Sequence, residues 1–195
     1  MIPRHLQIAF GILLLAVLGM GFYVGRIRGR AQQAEPAADS RPVAPPAPGP
    51  TERVTLYVAN DAGGILRAQA ASIPLPYARQ QRAEELLRAL LDIYLGKDSP
   101  HPLAVGSEVR AVYLVDPGLV VIDLNAAFAN GHRSGVLEEE LTVTSIIQTL
   151  AANIPDILRV KFLVEGKERD TLAGHADLST MYDTIAVSQL VAQMQ

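Results

Sequence analysis

Apolar and polar residues alternate along three segments in the second half of the chain. Residues 109–115 and 119–124 are rich in β-branched and aromatic side chains, as strands are. Between them stand Pro117 and Gly118, which suit the central positions of a tight turn. The two segments are therefore predicted to form a β-hairpin. Residues 158–164 repeat the alternation and predict a third strand.

Apolar residues recur at helical spacing in two further segments. The first lies between residues 83 and 94, where the apolar positions form a single stripe. The second runs from residue 143 to residue 154 and follows Glu138–Glu140, whose negative charge complements the helix dipole. Pro155 is expected to end it. These patterns predict two amphipathic helices, one before the hairpin and one between the hairpin and the third strand.

The remaining segments of the globular part complete the predicted fold. Residues 53–59 alternate cleanly as a first strand, whereas residues 65–75 are a weaker strand candidate that Pro74 and Pro76 interrupt. Residues 182–194 are predicted to form a last helix or strand. The order of elements predicts an α+β fold, with a small mixed or antiparallel sheet and two helices packed on one face. A single N-terminal transmembrane helix is expected to precede it.

Residues 1–30 are predicted to be a membrane anchor. No residue from Leu6 to Val24 is charged, and about 20 apolar residues span a bilayer, so the span is placed at about residues 6–25. A cleaved signal peptide is the alternative, but three arginines follow the apolar run and no Ala-x-Ala site follows it. We therefore predict an uncleaved, single-pass anchor in the inner (cytoplasmic) membrane. Taken alone, the arginines would place the domain that follows in the cytoplasm.

Residues 31–52 are predicted to be a disordered linker. They contain six prolines, many alanines and no apolar periodicity. Such a segment buries too little apolar surface to offset the entropy lost on ordering. Fully extended at about 3.1 Å per residue, it would reach on the order of 70 Å. The globular domain is accordingly predicted over residues 53–195, at some distance from the membrane.

Composition excludes several classes of function. The chain of 195 residues has no cysteine, which excludes disulfides, thiolate metal sites and a cysteine nucleophile. From residue 53 onward, 12 Lys+Arg stand against 17 Asp+Glu, which gives a net charge of −5 without a basic stripe. Nucleic-acid binding is therefore not expected. The four histidines do not stand at metal-ligand spacing, and neither a metal nor another cofactor is predicted.

No group of residues in the sequence has the pattern of a catalytic site. Ser134 stands near His132, but outside the strand–turn–helix context of a nucleophile elbow. Glu138–Glu140 are expected to be a solvated start of a helix. Asp123, near the end of a buried strand, is the carboxylate of most interest, and it is expected to cap the turn that follows. The sequence therefore predicts a protein that is not an enzyme.

Three motifs follow one another along these elements: Val-Ile-Asp-Leu-Asn-Ala-Ala-Phe at 121–128, Ser-Ile-Ile-Gln-Thr-Leu at 145–150 and Leu-Ala-Gly-His-Ala-Asp-Leu-Ser at 172–179. Their order, together with the order of the elements, resembles the GerMN domain of sporulation and spore germination proteins. The resemblance covers about residues 53–185. The positions that match the family's motifs are Asp123, Phe128, Thr149, Leu150, Gly166, Gly174, His175 and Asp177.

The resemblance implies a membrane-tethered domain outside the cytoplasm, and this implication outweighs the arginine count. It implies no catalytic residues. The expected function is a non-catalytic module of the cell envelope that binds another protein, a second copy of itself or cell-wall glycan (peptidoglycan). The alternative is an enzyme that acts on cell-wall polymers, or an accessory subunit of a cell-wall hydrolase, because related domains stand beside wall amidases in longer chains.

One face of the predicted sheet is expected to serve association. Strand periodicity places Lys161 and Leu163 opposite the apolar face of their strand, in a mixture of charged and apolar groups that is typical of interfaces. We predict that Tyr57, Lys161 and Leu163 lie at the centre of a surface for homo-oligomerisation or for docking onto an envelope complex. The alternative is that the chain after Gly174 covers this face.

Overall fold

The computed structural model describes residues 49–115 and 117–194. The predicted anchor (residues 1–30), its membrane span (about 6–25) and most of the predicted linker lie outside the described residues, so these predictions stay predictions. Among the residues that are described, no helix is both long and apolar enough to cross a membrane.

Ten elements follow one another along the described chain. The strands are β1 (Thr51–Asn60), β2 (Ile65–Pro74), β3 (Val109–Val115), β4 (Leu119–Leu124), β5 (Arg159–Val164) and β6 (Tyr182–Asp183). The helices are α1 (Arg79–Tyr94), α2 (Ala126–Asn130), α3 (Val136–Asn153) and α4 (Thr184–Val191). The hairpin, the third strand and both amphipathic helices of the sequence prediction are confirmed, with shifts of a few residues at their ends.

The strands form two sheets rather than the one small sheet that the sequence predicted. β1 and β2 pair antiparallel as a two-stranded sheet, and β3, β4, β5 and β6 form a four-stranded sheet in that order. The larger sheet is mixed, because β4 and β5 run parallel, whereas β3 pairs antiparallel with β4 and β6 pairs antiparallel with β5. A parallel pair needs a long crossover connection, and α3 lies in that connection. The α+β class is thus confirmed, with two sheets and four helices in the described chain.

The β3–β4 turn also positions the start of β5. Gly118 adopts a φ of 70°, which glycine accepts at little cost. Its carbonyl oxygen accepts hydrogen bonds from the N–H groups of Leu158 and Arg159 at 2.7 and 3.0 Å. A Cβ atom at Gly118 would lie only 2.8 Å from the carbonyl oxygen of Asp156. The glycine is therefore needed both for the turn and for the close approach of the chain that enters β5.

The outer edge of β1 is closed by side chains of α3 instead of by another strand. Asn153 accepts a hydrogen bond from the N–H of Thr55 at 3.1 Å and donates one to its carbonyl oxygen at 2.7 Å. Thr149 Oγ1 accepts from the N–H of Tyr57 at 3.0 Å, and Ser145 Oγ donates to the Tyr57 carbonyl oxygen at 2.7 Å. Four helical residues rise about 6 Å and two strand residues about 6.7 Å, so the two elements stay in step.

A single apolar core joins the helices to both sheets. The even-numbered residues of β4 and β5 face it, and α1 and α3 contribute more of the remaining apolar side chains than any other two elements. Its largest fully buried side chains include Tyr94, Phe128, Phe162, Leu56, Leu86, Leu90, Ile122 and Leu141. The core packs against the long helix α3 along most of its length.

The chain after Gly174 covers the opposite face of β5 at Lys161, whereas Arg159 on the same face is exposed and Leu163 is half-buried. Lys161 is 7% exposed, and its Nζ donates to the carbonyl oxygens of Leu178 and Ser179 at 3.0 and 2.5 Å. Its Nζ also lies 3.4 Å from an exposed carboxylate oxygen of Glu168. At Lys161 the structure therefore corresponds to the alternative named from the sequence, in which this segment covers the face. Sequence alternation made Lys161 look like a surface charge because a strand's period does not show what lies over it.

Candidate functional site

A buried carboxylate in the first turns of α3 anchors the loop that carries His175. Glu139 has no exposed surface. One of its oxygens accepts hydrogen bonds from the N–H groups of Ala173, His175 and Ala176, each at 2.9 Å. The other oxygen lies 3.0 Å from His175 Nδ1. Gly174 lies within this loop with a φ of 126°, which favours glycine and lets three N–H groups converge on one oxygen.

The electrostatics of Glu139 follow from these contacts. Burial alone would raise the pKa of its carboxyl group. The N–H of Ala173, the His175 imidazole and the N–H groups of His175 and Ala176 outweigh burial and lower this pKa from 4.5 to about 2. Glu139 is therefore ionised at any physiological pH. Its charge serves to fix the loop, because all of these donors lie on the loop itself.

A groove of about 250 Å³ lies beside the anchored loop. One wall is a face of α3 and the other is α4, while the loop and Tyr182 form its end. The residues that line it are Val136, Glu140, Val143, Thr144, His175, Ala176, Asp177, Tyr182, Val187 and Leu190. Two of the positions that match the family's motifs, His175 and Asp177, therefore contribute to one depression. Val136, at its rim, is 65% exposed.

The groove combines apolar walls with acidic groups. Five of its lining residues are aliphatic, and two, Glu140 and Asp177, are acidic. The Asp177 carboxylate also accepts hydrogen bonds from Ser179 and Thr180. The pKa of Tyr182 is raised to about 12, first by burial and then by the negative charges of Asp177, Glu140 and Glu139. Tyr182 Oη donates to the Asp177 carbonyl oxygen at 2.6 Å, which holds the ring in place. The groove therefore favours a ligand with an aliphatic part and a positive charge.

The geometry around His175 is not that of a nucleophile–base relay. Ser134 Oγ lies 3.4 Å from His175 Nδ1, and Glu139 Oε1 lies 3.0 Å from the same nitrogen. A hydrolase triad uses the two ring nitrogens for different partners: one takes the nucleophile's proton and the other is held by the carboxylate. Here the serine and the carboxylate compete for one nitrogen. Within the described chain, no group of three or more His, Asp and Glu side chains is placed to hold a metal ion.

The structure joins two histidines that sequence spacing kept apart. His101 and His132 are both buried, and their Nε2 atoms lie 2.6 and 2.7 Å from Thr142 Oγ1. His101 Nδ1 lies 2.5 Å from a carboxylate oxygen of Asp61, and His132 Nδ1 lies 2.7 Å from the carbonyl oxygen of Arg133. Burial is the main reason that the pKa of His132 is lowered. The lowered pKa favours the neutral ring, and its Nδ1–H then donates to the Arg133 carbonyl oxygen.

This histidine pair ties three loops to α3, and neither ring is among the residues that line the groove. No signal in the sequence indicates it, because His101, His132 and Thr142 meet only through the tertiary fold. Its role in the structure is to satisfy polar groups inside the core. Phe128, one of the family-motif positions, stacks on the His132 ring with centroids 6.3 Å apart.

The other family-motif positions hold the scaffold together. Asp123 accepts a hydrogen bond from the N–H of Gly166 at 2.7 Å and pairs with Arg110 at 2.9 Å. The expectation that Asp123 caps the next turn is wrong: Asn125 caps α2 by accepting from the N–H of Phe128. Thr149 and Leu150 are buried in α3. Neither Asp123 nor Glu138 is among the residues that line the groove beside His175.

The three residues predicted for an interaction surface lie in two different sheets. Tyr57 is half-buried in β1, whereas Lys161 and Leu163 lie in β5. Lys161 is buried as described above, and Leu163 is half-buried. Tyr57 alone of the three belongs to the β1–β2 sheet.

The described elements define an α+β domain that presents a fixed, acid-lined groove at the end of a long helix. The Germane family of sporulation and spore germination matches residues 55–170. Because the match spans more than half of the chain, the protein belongs to this family. The predicted resemblance to GerMN domains is thus confirmed. A comparison with curated proteins found no match.

Three solved structures are similar to the chain. The tandem GerMN domains of the sporulation protein GerM from Bacillus subtilis are 21% identical, with a TM-score of 0.49, over 67% of this chain and 45% of that one. The first GerMN domain of the same protein is 19% identical, with a TM-score of 0.45, over 67% and 95%. A candidate lipoprotein from Clostridium perfringens is 18% identical, with a TM-score of 0.46, over 68% and 87%.

Proposed function

We propose that the protein is a non-catalytic binding module of the cell envelope and that the groove beside His175 is its recognition surface. The observation that carries the proposal is the anchoring of the His175 loop by Glu139. A buried carboxylate with three backbone N–H donors holds the loop at the end of the groove in a fixed shape before any ligand arrives. Such preorganisation lowers the entropy cost of binding. It is a feature of recognition sites, whereas the shared nitrogen of His175 does not suit catalysis.

The chemistry of the groove favours a protein segment as the ligand. Aliphatic walls suit an aliphatic side chain, and the carboxylates of Glu140 and Asp177 suit a neighbouring lysine or arginine. Glycans are polar on most of their surface and would leave the valines and Leu190 poorly matched. We therefore place a segment of another envelope protein, with adjacent basic and apolar side chains, in this groove.

The proposal places the domain outside the cytoplasm, tethered to the cell membrane. Residues 1–30 serve as the anchor, and the segment from residue 31 to the start of β1 at Thr51 serves as the linker to the domain. Support comes from the uncharged run in the N-terminal residues, which has the length of a bilayer span. Family membership adds the setting of sporulation and spore germination proteins. The linker lets the groove reach partners on the order of tens of ångströms from the membrane surface.

Photo-crosslinking in intact cells tests the groove directly. A photoreactive amino acid replaces Val136, which is 65% exposed at the groove, and a matched control carries it at Val105, which is 97% exposed and outside the groove. We expect Val136 to yield a discrete crosslinked envelope protein that Val105 does not yield. Adding Glu140→Lys should abolish this product, whereas Glu138→Lys on the same helix should preserve it.

Other outcomes would contradict the proposal. Equal products from the two valines, or a product that survives Glu140→Lys, would show that the groove is not the recognition surface. Purified cell-wall sacculi provide the second arm of the test. If the full chain binds to sacculi and Glu140→Lys weakens this binding, the ligand of the groove contains glycan and is not a protein segment. Release of soluble wall fragments by the chain would favour the alternative, an enzyme that acts on cell-wall polymers.

A further inference from the structure

The two edges of the small β1–β2 sheet are treated differently by the fold. Side chains of α3 close the outer edge of β1, as described above. Within the described chain, β2 pairs with β1 alone. Residues 67–70 and Ser72 are exposed along its other side. An open strand edge carries unpaired N–H and C=O groups and is a template for pairing with another strand.

The register of the hairpin shows which backbone groups of β2 face outward. In an antiparallel pair, alternate residues direct both backbone groups to the same side. Thr55 and Tyr57 direct theirs to α3, so the even-numbered residues of β1 bond to β2. Their partners in the register are odd-numbered, as in Val54 with Ala71 and Leu56 with Gln69. The backbone N–H and C=O groups of the even-numbered residues of β2 therefore face the open edge.

The open part of this edge has defined ends. At one end, the N–H of Leu66 already donates to the carbonyl oxygen of Met194 at 3.1 Å. At the other end, Pro74 has no N–H to offer. Between them lie Ala68, Ala70 and Ser72, which together present three N–H and three C=O groups. The edge is thus a short segment with Ala70 at its centre.

We propose that a second copy of this chain pairs with this edge, antiparallel, about a two-fold axis at Ala70. In this register Ala70 faces Ala70 of the second copy, and Ala68 faces its Ser72. Each of these pairs exchanges two hydrogen bonds, so the three pairs use all six open groups on both chains. A shift of two residues would leave groups unpaired or meet the occupied N–H of Leu66. A four-stranded sheet then runs continuously through both copies.

The side chains and charges of β2 fit a second copy. The residues whose backbone groups face the open edge are Ala68, Ala70 and Ser72. Their small side chains leave two joined backbones free of steric conflict. In the proposed register Arg67 lies opposite Ile73 of the second copy, so no like charges face each other. Between Ala68 and Ser72 the open segment carries neither a charged residue nor a proline, the residues that protect strand edges. Tyr57 pairs with Ala68 in the hairpin and therefore lies within the joined sheet, one strand away from the contact between the two copies.

Cysteine crosslinking of the full-length chain in membranes tests the register, because the chain has no cysteine of its own. In Ala70→Cys the two Cα atoms across the axis would lie about 5.5 Å apart, within the range that a disulfide spans. In the matched control Ala68→Cys, the two thiols would be displaced by four residues, about 13 Å. We expect Ala70→Cys to form a covalent dimer at least about tenfold faster than Ala68→Cys, for this reason.

Two further variants make the result specific. Ala68→Cys and Ser72→Cys should each fail alone but crosslink when both chains are expressed together, because these positions face each other. Ser72→Pro, added to Ala70→Cys, removes an outward N–H from each chain without touching the bonds to β1. It should weaken association by about tenfold or more, while the circular dichroism spectrum of the folded chain stays unchanged. Equal crosslinking at residues 68 and 70, or none at residue 70, would overturn the proposal.

Discussion

At the scale of single residues, the carboxylate of Glu139 has the clearest consequence for the molecule. In the sequence it is one of three consecutive glutamates, and nothing in the pattern separates it from Glu138 and Glu140. In the structure it alone is fully buried, and it receives three backbone N–H groups. An ionised group at such a site stabilises the fold only while it keeps its charge.

Replacing Glu139 tests this role. The pKa of Glu139 lies about 2.5 units below 4.5, and each unit corresponds to about 1.36 kcal/mol, so the charge contributes on the order of 3 kcal/mol to stability. We expect Glu139→Gln to lower the free energy of unfolding at pH 7 by about that amount, measured by chemical denaturation. The matched control Glu138→Gln changes a half-exposed neighbour and should have an effect below about 0.5 kcal/mol.

The pH dependence gives the sign of the same effect. Because folding lowers the pKa of Glu139, its contribution is complete above pH 4.5 and is lost as the pH falls from there through about 2. The stability of the native chain should therefore drop in this range more steeply than that of Glu139→Gln. Parallel curves for the two proteins would contradict the assigned role, whatever the difference at pH 7.

At the scale of elements, α3 acts as a neighbouring strand for β1. Its polar residues Ser145, Thr149 and Asn153 recur every four positions and reach backbone groups of β1 at every second residue. Ser145 and Thr149 are buried and Asn153 is half-buried, and their hydrogen bonds to the edge of β1 satisfy these polar groups. The device leaves β1 without a free edge, so that of the two hairpin strands only β2 offers one within the described chain.

The valine variant of Thr149 isolates one of these bonds. Valine keeps the shape of threonine but leaves the N–H of Tyr57 without its partner, at a cost of about 1–3 kcal/mol. The matched control is Thr144→Val on the same helix, because Thr144 Oγ1 bonds only to carbonyl oxygens of its own helix. We expect chemical denaturation to show the loss for Thr149→Val alone. Hydrogen exchange of the Tyr57 amide should rise in that variant, and an unchanged amide would contradict the assignment.

At the scale of the whole molecule, the groove, the open edge and the predicted tether describe one arrangement. A second copy at β2 would place two grooves on one assembly, and two anchors would hold it near the membrane. Two weak sites on one assembly bind a repetitive partner more tightly than one site does. The envelope partner proposed for the groove requires the domain to lie outside the cytoplasm.

A reporter fusion tests the location of the domain. Alkaline phosphatase joined after Gln195 should be active, because the enzyme folds only outside the cytoplasm, and a cytoplasmic reporter at the same position should be inactive. The reverse pattern would agree with the arginine count instead of the family. N-terminal sequencing of the membrane fraction should find the uncleaved start of the chain. A mature terminus near Ala31 or Ala34 would show that the apolar segment is a signal peptide.

Local pattern was enough to predict the order of elements and the α+β class. The β3–β4 hairpin, β5 and the two long helices depend on alternation, helical spacing and turn residues within a few positions. The weaker prediction was β2, because its exposed face is made of small residues that carry little strand signal. The family could be inferred for a similar reason, since the order of short motifs belongs to the sequence itself.

The tertiary structure alone decided which polar residues are buried and what they bond. Lys161 alternates like a surface charge, yet the segment at residues 178–179 covers it. The meeting of His101 with His132, the division of the strands into two sheets and the selection of Glu139 from three glutamates all join residues far apart in sequence. Burial and hydrogen bonding depend on every neighbour in space, whereas periodicity reports only the orientation of a residue within its own helix or strand.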